Sequence, residues 1–169
     1  MKKNETFAIV VIMSALGVAG GYLFAFIPNV EVISSIIFIT GYLAGLTPGI
    51  LTGTIVFLLY GFFNPYGPSP LPFLIIQCMG GSIIGLGGYV LRRHKWDNPI
   101  LFMLAGLVLT IIYDLITNLG GFILFPTGKT LIAYLIAGVP FAAIHCLSNL
   151  IIFGLVVYPL TQKLKRRFS

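Results

Sequence analysis

Apolar residues run along this chain in long blocks, broken at a few places by prolines, glycines or clustered charges. A helix needs about 20 mostly apolar residues to cross a hydrocarbon core at about 1.5 Å per residue. The breaks divide the chain into segments at about 6–26, 32–46, 49–63, 71–91, 99–117 and 132–160. The first ends at IPNVE. The second and third are short and are separated by LTPG, where Pro48 and Gly49 favour a tight reversal. The third runs into FFNPYGPSPLP, and the basic RRHKWDN stops the fourth. The sixth is long enough to tilt, or to bend around Gly138 and Pro140. The pattern predicts an all-α integral membrane protein of six transmembrane helices, one membrane domain over 1–169. In a variant of this reading the second and third segments form a re-entrant hairpin, which leaves four full spans and the same orientation.

Composition agrees with the pattern. Of 169 residues, 58% are hydrophobic and 8% charged, with a mean hydropathy of +1.05. An ordinary soluble domain carries about 25% charged residues. The first block follows Lys2 and Lys3 as a signal peptide would. It lacks a small-residue cleavage site followed by a hydrophilic mature region, and is read as a retained first helix. Lys2, Lys3, Arg92, Arg93, Lys95, Lys163, Lys165, Arg166 and Arg167 fall on one side of the six-span arrangement, and Lys129 on the other. The positive-inside bias predicts that both termini are cytoplasmic. Topology therefore accounts for the net charge of +6 without a nucleic-acid partner, and the basic tail can meet anionic headgroups.

The candidate chemistry is sparse. Of the four acids, Glu5 and Asp97 lie on the inner side and read as solvated charges. Glu31 lies in the first outer loop, and Asp114 near the outer end of the fifth span. A charge facing lipid at that depth costs about 2.5–3.5 kcal/mol, so Asp114 should face the bundle interior or a wet cavity. Asp114 and Asn118 share a helix face, as do His145 and Asn149, and Gln77 lies in the fourth span. Such groups can satisfy one another across helices, at about 0.6 kcal/mol per pair on average. Their gathering in the outer half favours a site for a polar solute. His145 and Cys146 diverge by about 100° around their helix, and no ligand spacing joins them to Cys78, so no metal or other cofactor is predicted. The cysteines read as small buried hydrophobes. No HExxH, GxSxG, Walker or paired-carboxylate motif is present, which argues against an enzyme. Ala15 and Ala19 form a small-xxx-small face within ALGVAGG, and Gly80 to Gly88 lie in GGSIIGLGG. Either stretch suits packing inside the chain or against a partner helix.

The order of these features resembles the membrane-embedded substrate-binding S components of energy-coupling factor (ECF) vitamin transporters. The features are Ala15-x-x-x-Ala19 in the first helix, IPNVE before an apolar run ending GYLAGLTPGILTG, then NPYGP, over nearly the whole chain. The resemblance implies a protein of a prokaryotic cell membrane that captures a vitamin or related micronutrient from outside. Its partners would be a transmembrane coupling subunit and two cytoplasmic ATPases. Ala15 and Ala19 would dock the coupling subunit, while FIPNVEVIS and FFNPYGPSPLP would act as gates. The substrate pocket would draw on Asn29, Glu31, Asn64, Tyr66, Gln77, Asp114, Asn118, His145 and Asn149. Glu31, Asp114 and Lys129 leave a zwitterion, an amine or an anion open as substrate. Tyr66, Phe73, Tyr113, Phe122 and Phe125 would suit a heteroaromatic ring, and His145 or Cys78 a corrinoid. Two other readings compete: a self-contained proton-coupled carrier or channel using Asp114 and His145, and a structural membrane scaffold.

Overall fold

The computed structural model describes residues 3–168, with side chains described for 4–165. Lys2 lies outside the described residues, as do the side chains of Lys3, Arg166 and Arg167. The helices are α1 (Lys3–Leu23), α2 (Ile33–Ala44), α3 (Leu46–Phe62), α4 (Leu71–Arg93), α5 (Pro99–Leu124) and α6 (Leu131–Ile152). α6 continues without a break through a π-helical turn (Phe153–Val157) into α7 (Tyr158–Phe168). Helix starts follow local chemistry. Asn98 accepts the Ile100 N–H at 2.8 Å, with Pro99 in the first position of α5. Thr130 accepts the Ala133 N–H at 3.3 Å to begin α6.

α1 ends at Leu23 and the last rod runs to Phe168, against expected ends near 26 and 160, and two further boundaries differ for identifiable reasons. The reversal between α2 and α3 is made by Gly45 alone, at φ 108° and ψ −174°, a conformation only glycine adopts without strain. Pro48 instead sits in the first turn of α3, where its missing N–H has no partner to lose. α5 runs on past residue 117 to Leu124, so Asn118, Gly120 and Gly121 are helical and the following loop shrinks to residues 125–130. Gly120 and Gly121 interrupt nothing there. A Cβ on Gly121 would lie 2.8 Å from the Tyr134 hydroxyl, so this glycine serves close packing against α6.

Among the described residues four stretches are long and apolar enough to cross a membrane: Asn4–Leu23, Leu71–Arg93, Pro99–Leu124 and Leu131–Lys165. Their outward faces carry large apolar side chains such as Phe7, Leu16, Ile100, Ile123 and Leu155, so the chain is a helical, multi-pass membrane protein. α2 and α3 have 12 and 17 residues. At about 1.5 Å per residue they reach only about 18 and 26 Å. α2 is the enclosed element, packed by α1, α3, α4 and α7, with Ile37, Phe38 and Tyr42 at its centre. A short helix at membrane depth is tolerated there because protein, not lipid, meets its ends. Arg92 at the end of α4 donates to the Tyr42 carbonyl at 3.1 Å and to the Leu43 carbonyl, closing the C-terminus of α2.

Glycines set the distance between α2, α3 and α4. Gly49 and Gly53 on α3 meet Gly85 and Gly81 on α4, and Gly41 of α2 packs on Gly85. A Cβ on Gly49 would lie 2.7 Å from the Gly41 Cα and 2.9 Å from the Gly85 carbonyl oxygen. These contacts are backbone to backbone, the close approach that small-xxx-small spacing permits. GGSIIGLGG is therefore packing within the chain. In α1 the same work falls to Gly17 against Val56 and Gly21 against Tyr60 and Ile33, which leaves Ala15 and Ala19 on the exposed face.

The buried positions of the last rod recur every four residues: His145, Asn149, Phe153, Val157 and Thr161. An α-helix advances about 100° per residue, so a four-residue repeat drifts about 40° per step. The wider π turn at Phe153–Val157 takes up that drift and keeps all five side chains facing the core. Phe153 then packs edge-on against Phe38, ring centres 4.9 Å apart, over Gly106.

The glycine contacts predict a contrast. A Cβ on Gly85 would lie 3.0 Å from the Gly49 Cα and closer still to its carbonyl, so Gly85→Ala should cost about 1–3 kcal/mol or more. A Cβ on Gly87 would meet the Leu109 side chain instead of backbone, its end carbons at 2.7 and 2.8 Å and its Cγ at 3.2 Å. Those carbons can shift, and up to about 1 kcal/mol of helix propensity offsets the strain. Thermal midpoints in detergent should separate the two variants, Gly85→Ala falling well below the parent and Gly87→Ala staying near it.

Candidate functional site

At the end of the bundle away from the basic termini, three ionisable side chains from distant parts of the chain form one line. Asp114 comes from α5, His145 from α6 and Glu31 from the loop before α2. His145 Nδ1 lies 2.8 Å from Asp114 Oδ1, and Nε2 lies 3.4 Å from Glu31 Oε1. Since both ring nitrogens face carboxylate oxygens, only the doubly protonated ring can donate to both. The line then carries a net charge of about −1, from two carboxylates and one imidazolium.

Each member is held by its own element. Glu31 Oε2 accepts the Ser34 N–H at 2.8 Å, so the carboxylate sits on the N-terminal turn of α2, where the helix dipole favours negative charge. Asn149, fully buried, donates to Glu31 Oε1 at 3.2 Å and to Thr110 Oγ1 at 2.9 Å. The Thr110 hydroxyl in turn donates to the Gly106 carbonyl at 2.7 Å. Ser148 donates to the Asn29 carbonyl at 3.1 Å, and Asn29 holds a positive φ of 59°, which asparagine tolerates. The loop 24–32 is thereby tied to α6 at Asn29 and at Glu31. Burial alone would raise the Glu31 carboxyl. The hydrogen bond and charge of His145, with the bonds from Ser34, outweigh it and hold Glu31 below its ordinary value.

Two cavities flank this line. The first, about 250 Å³, lies under the loop 24–32 and is walled by Phe57, Tyr60, Tyr66 and Glu31. The second, about 350 Å³, lies between α4, α5 and α6, with Phe73, Asp114, Asn118 and Gly138 on its wall. Asn29, Gln77, Tyr113 and His145 line both. Tyr113 stacks on Phe57 with ring centres 5.0 Å apart and meets the His145 ring at right angles. The proline-rich loop 63–70 bears on the first cavity through Tyr66, whose hydroxyl donates to the Ala25 carbonyl at 2.6 Å. Tyr22, in the last turn of α1, donates to the Phe63 carbonyl and ties the same proline-rich loop to that helix.

The other sequence-predicted residues are distributed as follows. Gln77 has a buried Oε1 without a partner, as has Asp114 at Oδ2. Asn118 lines the second cavity but donates to the Asp114 main-chain carbonyl, at 2.7 Å, and not to its carboxylate. Asn149 lies beneath the cavities and lines neither. Asn64 is a turn residue, its side chain accepting the Tyr66 N–H at 2.9 Å and its carbonyl the Gly67 N–H at 3.0 Å. Phe73 packs on Phe125 and Phe122 on Tyr134. Lys129 lines neither cavity. Asp97, expected as a solvated charge, pairs with Lys165 at 3.0 Å and accepts from Gln162, which ties the loop between α4 and α5 to α7. Cys78 Sγ lies 3.5 Å from the Thr54 carbonyl, in an apolar groove away from the line. Among the described residues no group of three His, Cys, Asp or Glu side chains is arranged to hold a metal ion.

Sequence reasoning missed Thr110, Ser34 and Tyr60. Thr110 precedes Asp114 by one helical turn on the same face of α5, a spacing that was there to be used. Ser34 contributes its backbone and Tyr60 lies in an otherwise apolar helix, so neither carries a local signal. Searches of family models, curated proteins and solved structures find no match to the chain.

The lowered Glu31 carboxyl has a definite pH signature. A group whose folded value lies below its unfolded value, near 4.5, stabilises the protein above that pH. The contribution is lost as pH falls through the folded value. Thermal midpoints between pH 7 and pH 3 should therefore drop on the acid side, and Glu31→Gln should flatten that drop. An acid limb identical in both proteins would remove Glu31 as its source.

Proposed function

We propose that this chain is a solute-capture subunit that binds a vitamin or related small micronutrient from outside the cell. In this reading it has six spans with both termini in the cytoplasm of a prokaryote, and lacks its own energy source. A transmembrane coupling subunit and two cytoplasmic ATPases, as in ECF transporters, would energise uptake. The observation that carries the reading is the polar line Glu31–His145–Asp114 between two cavities, the first of them covered by the loop 24–32. A scaffold would have no use for this arrangement, since buried charges cost stability unless paired and apolar packing would serve as well. Arg93, Lys95 and Lys163 are exposed at the opposite end, which accords with a cytoplasmic face there. Ala15 and Ala19 are exposed on the apolar outer face of α1, as a docking surface for a coupling subunit requires.

A proton-coupled carrier is the second reading. It is favoured by the same line, because an imidazole between two carboxylates is a competent proton relay. The two readings separate in reconstituted vesicles. A relay carrier takes up solute in response to a pH gradient with no other protein present, whereas a capture subunit turns over only with its coupling module.

Two variants test the first reading. Asp114→Ala should lose whatever solute copurifies with the parent protein, by about tenfold or more as judged by mass spectrometry, while still folding. Ala15→Trp should retain that solute and fail to support uptake with the coupling subunit and ATPases. Undiminished uptake by Ala15→Trp would remove the docking role of this face.

A further inference from the structure

The walls of the two cavities have a charge of one sense. Among the described residues their acids are Glu31 and Asp114, their single basic group is His145, and no lysine or arginine lines either cavity. Both carboxylates already share the one imidazolium, so the walls remain net negative. Asp114 Oδ2 and Gln77 Oε1 are buried acceptors without a donor. Leaving such an acceptor unsatisfied costs about 1–3 kcal/mol, more when it is charged. Several wall donors are already engaged: Tyr66 by Ala25, Tyr60 by Gly21 at 3.4 Å, Asn118 by the Asp114 main chain. The Gln77 and Asn29 amides and the Tyr113 hydroxyl can bond in either sense. Phe57, Tyr60, Phe73 and Tyr113 also line the walls, and aromatic rings attract cations and pack against flat groups.

We infer that the solute is an organic cation whose N–H donors adjoin a flat ring, held by Asp114 and Gln77 beside His145. This assignment rests on the capture reading and narrows it. It excludes the anion that Lys129 alone would have allowed, since Lys129 lines neither cavity. A cation supplies donors to the free acceptors and offsets the net charge of the line. An anion would add a third negative group beside two carboxylates and bring no donor.

Three probes of one shape and different charge test the assignment: benzamidine, a cation with N–H donors, neutral benzamide, and anionic benzoate. Each is titrated against the full chain in lipid nanodiscs, with the thermal midpoint as readout. Benzamidine should raise the midpoint progressively with concentration. Benzamide and benzoate should leave it unchanged. Asp114→Asn preserves shape and removes the charge, and should raise the benzamidine concentration needed for a given shift by about tenfold or more. If that variant does not fold, the parent series across the three probes decides alone. A shift with benzoate or benzamide equal to that with benzamidine overturns the cation assignment while leaving a solute site, and so the capture reading, in place. No shift with any probe also overturns it. Failure of the capture reading is then read separately, from the absence of any copurifying solute.

Discussion

The backbone contact of α3 with α4 through Gly49, Gly53, Gly81 and Gly85 is the constraint on which the remaining architecture depends. In hydrocarbon, association gains little from the hydrophobic effect, so contact area and close approach decide which helices adhere. Removing every Cβ along one seam lets two backbones touch and brings Gly41 of α2 into the same contact. α2 becomes the enclosed element for that reason. Its shortness then costs nothing, since its C-terminal carbonyls meet Arg92 and the Glu31 carboxylate stands at its N-terminal turn. A single helix thus connects the glycine seam to the polar site.

That site resolves a problem common to charges at membrane depth. A lone carboxylate on α5 would be expensive, and so would a lone one over α2. One imidazolium placed between them compensates both, while Asn149 and the Ser34 N–H donate to Glu31 and Thr110 accepts from Asn149. The compensation is incomplete on purely geometric grounds, because one oxygen each of Asp114, Gln77 and Asn149 finds no donor among the described residues. A site that satisfies most of its polar groups, with two acceptors left over on its cavity walls, suits a guest that completes it.

Much of this was legible from residue type. Long apolar blocks, prolines and scarce charges marked the helices, and the rarity of Glu31, Asp114 and His145 singled them out before any contact was known. What could not be read was the use to which each glycine is put. Gly45 breaks a helix while Gly120 and Gly121 do not, and the difference lies in neighbours distant in sequence: open space around Gly45, Ile76 and Tyr134 against the other two. Pro48 misplaced the reversal because proline is equally at home in a first turn. Asn64 read as a binding group through its polarity, yet its carbonyl and amide oxygens are occupied by its own turn. The pairing of His145 with both carboxylates required knowing that the first loop reaches across to α6, information held in packing and not in local pattern.

The π turn at Phe153–Val157 has a mechanical corollary. It is the phase adjuster between a polar upper half of the rod, bearing His145 and Asn149, and an aromatic lower half, bearing Phe153. Relaxing that turn to ordinary α geometry would rotate one half against the other, swinging the imidazole out of line or withdrawing Phe153 from Phe38. The lower core therefore acts as a torsional key for the upper chemistry, and the two ends of the molecule are geared through a single residue of excess winding.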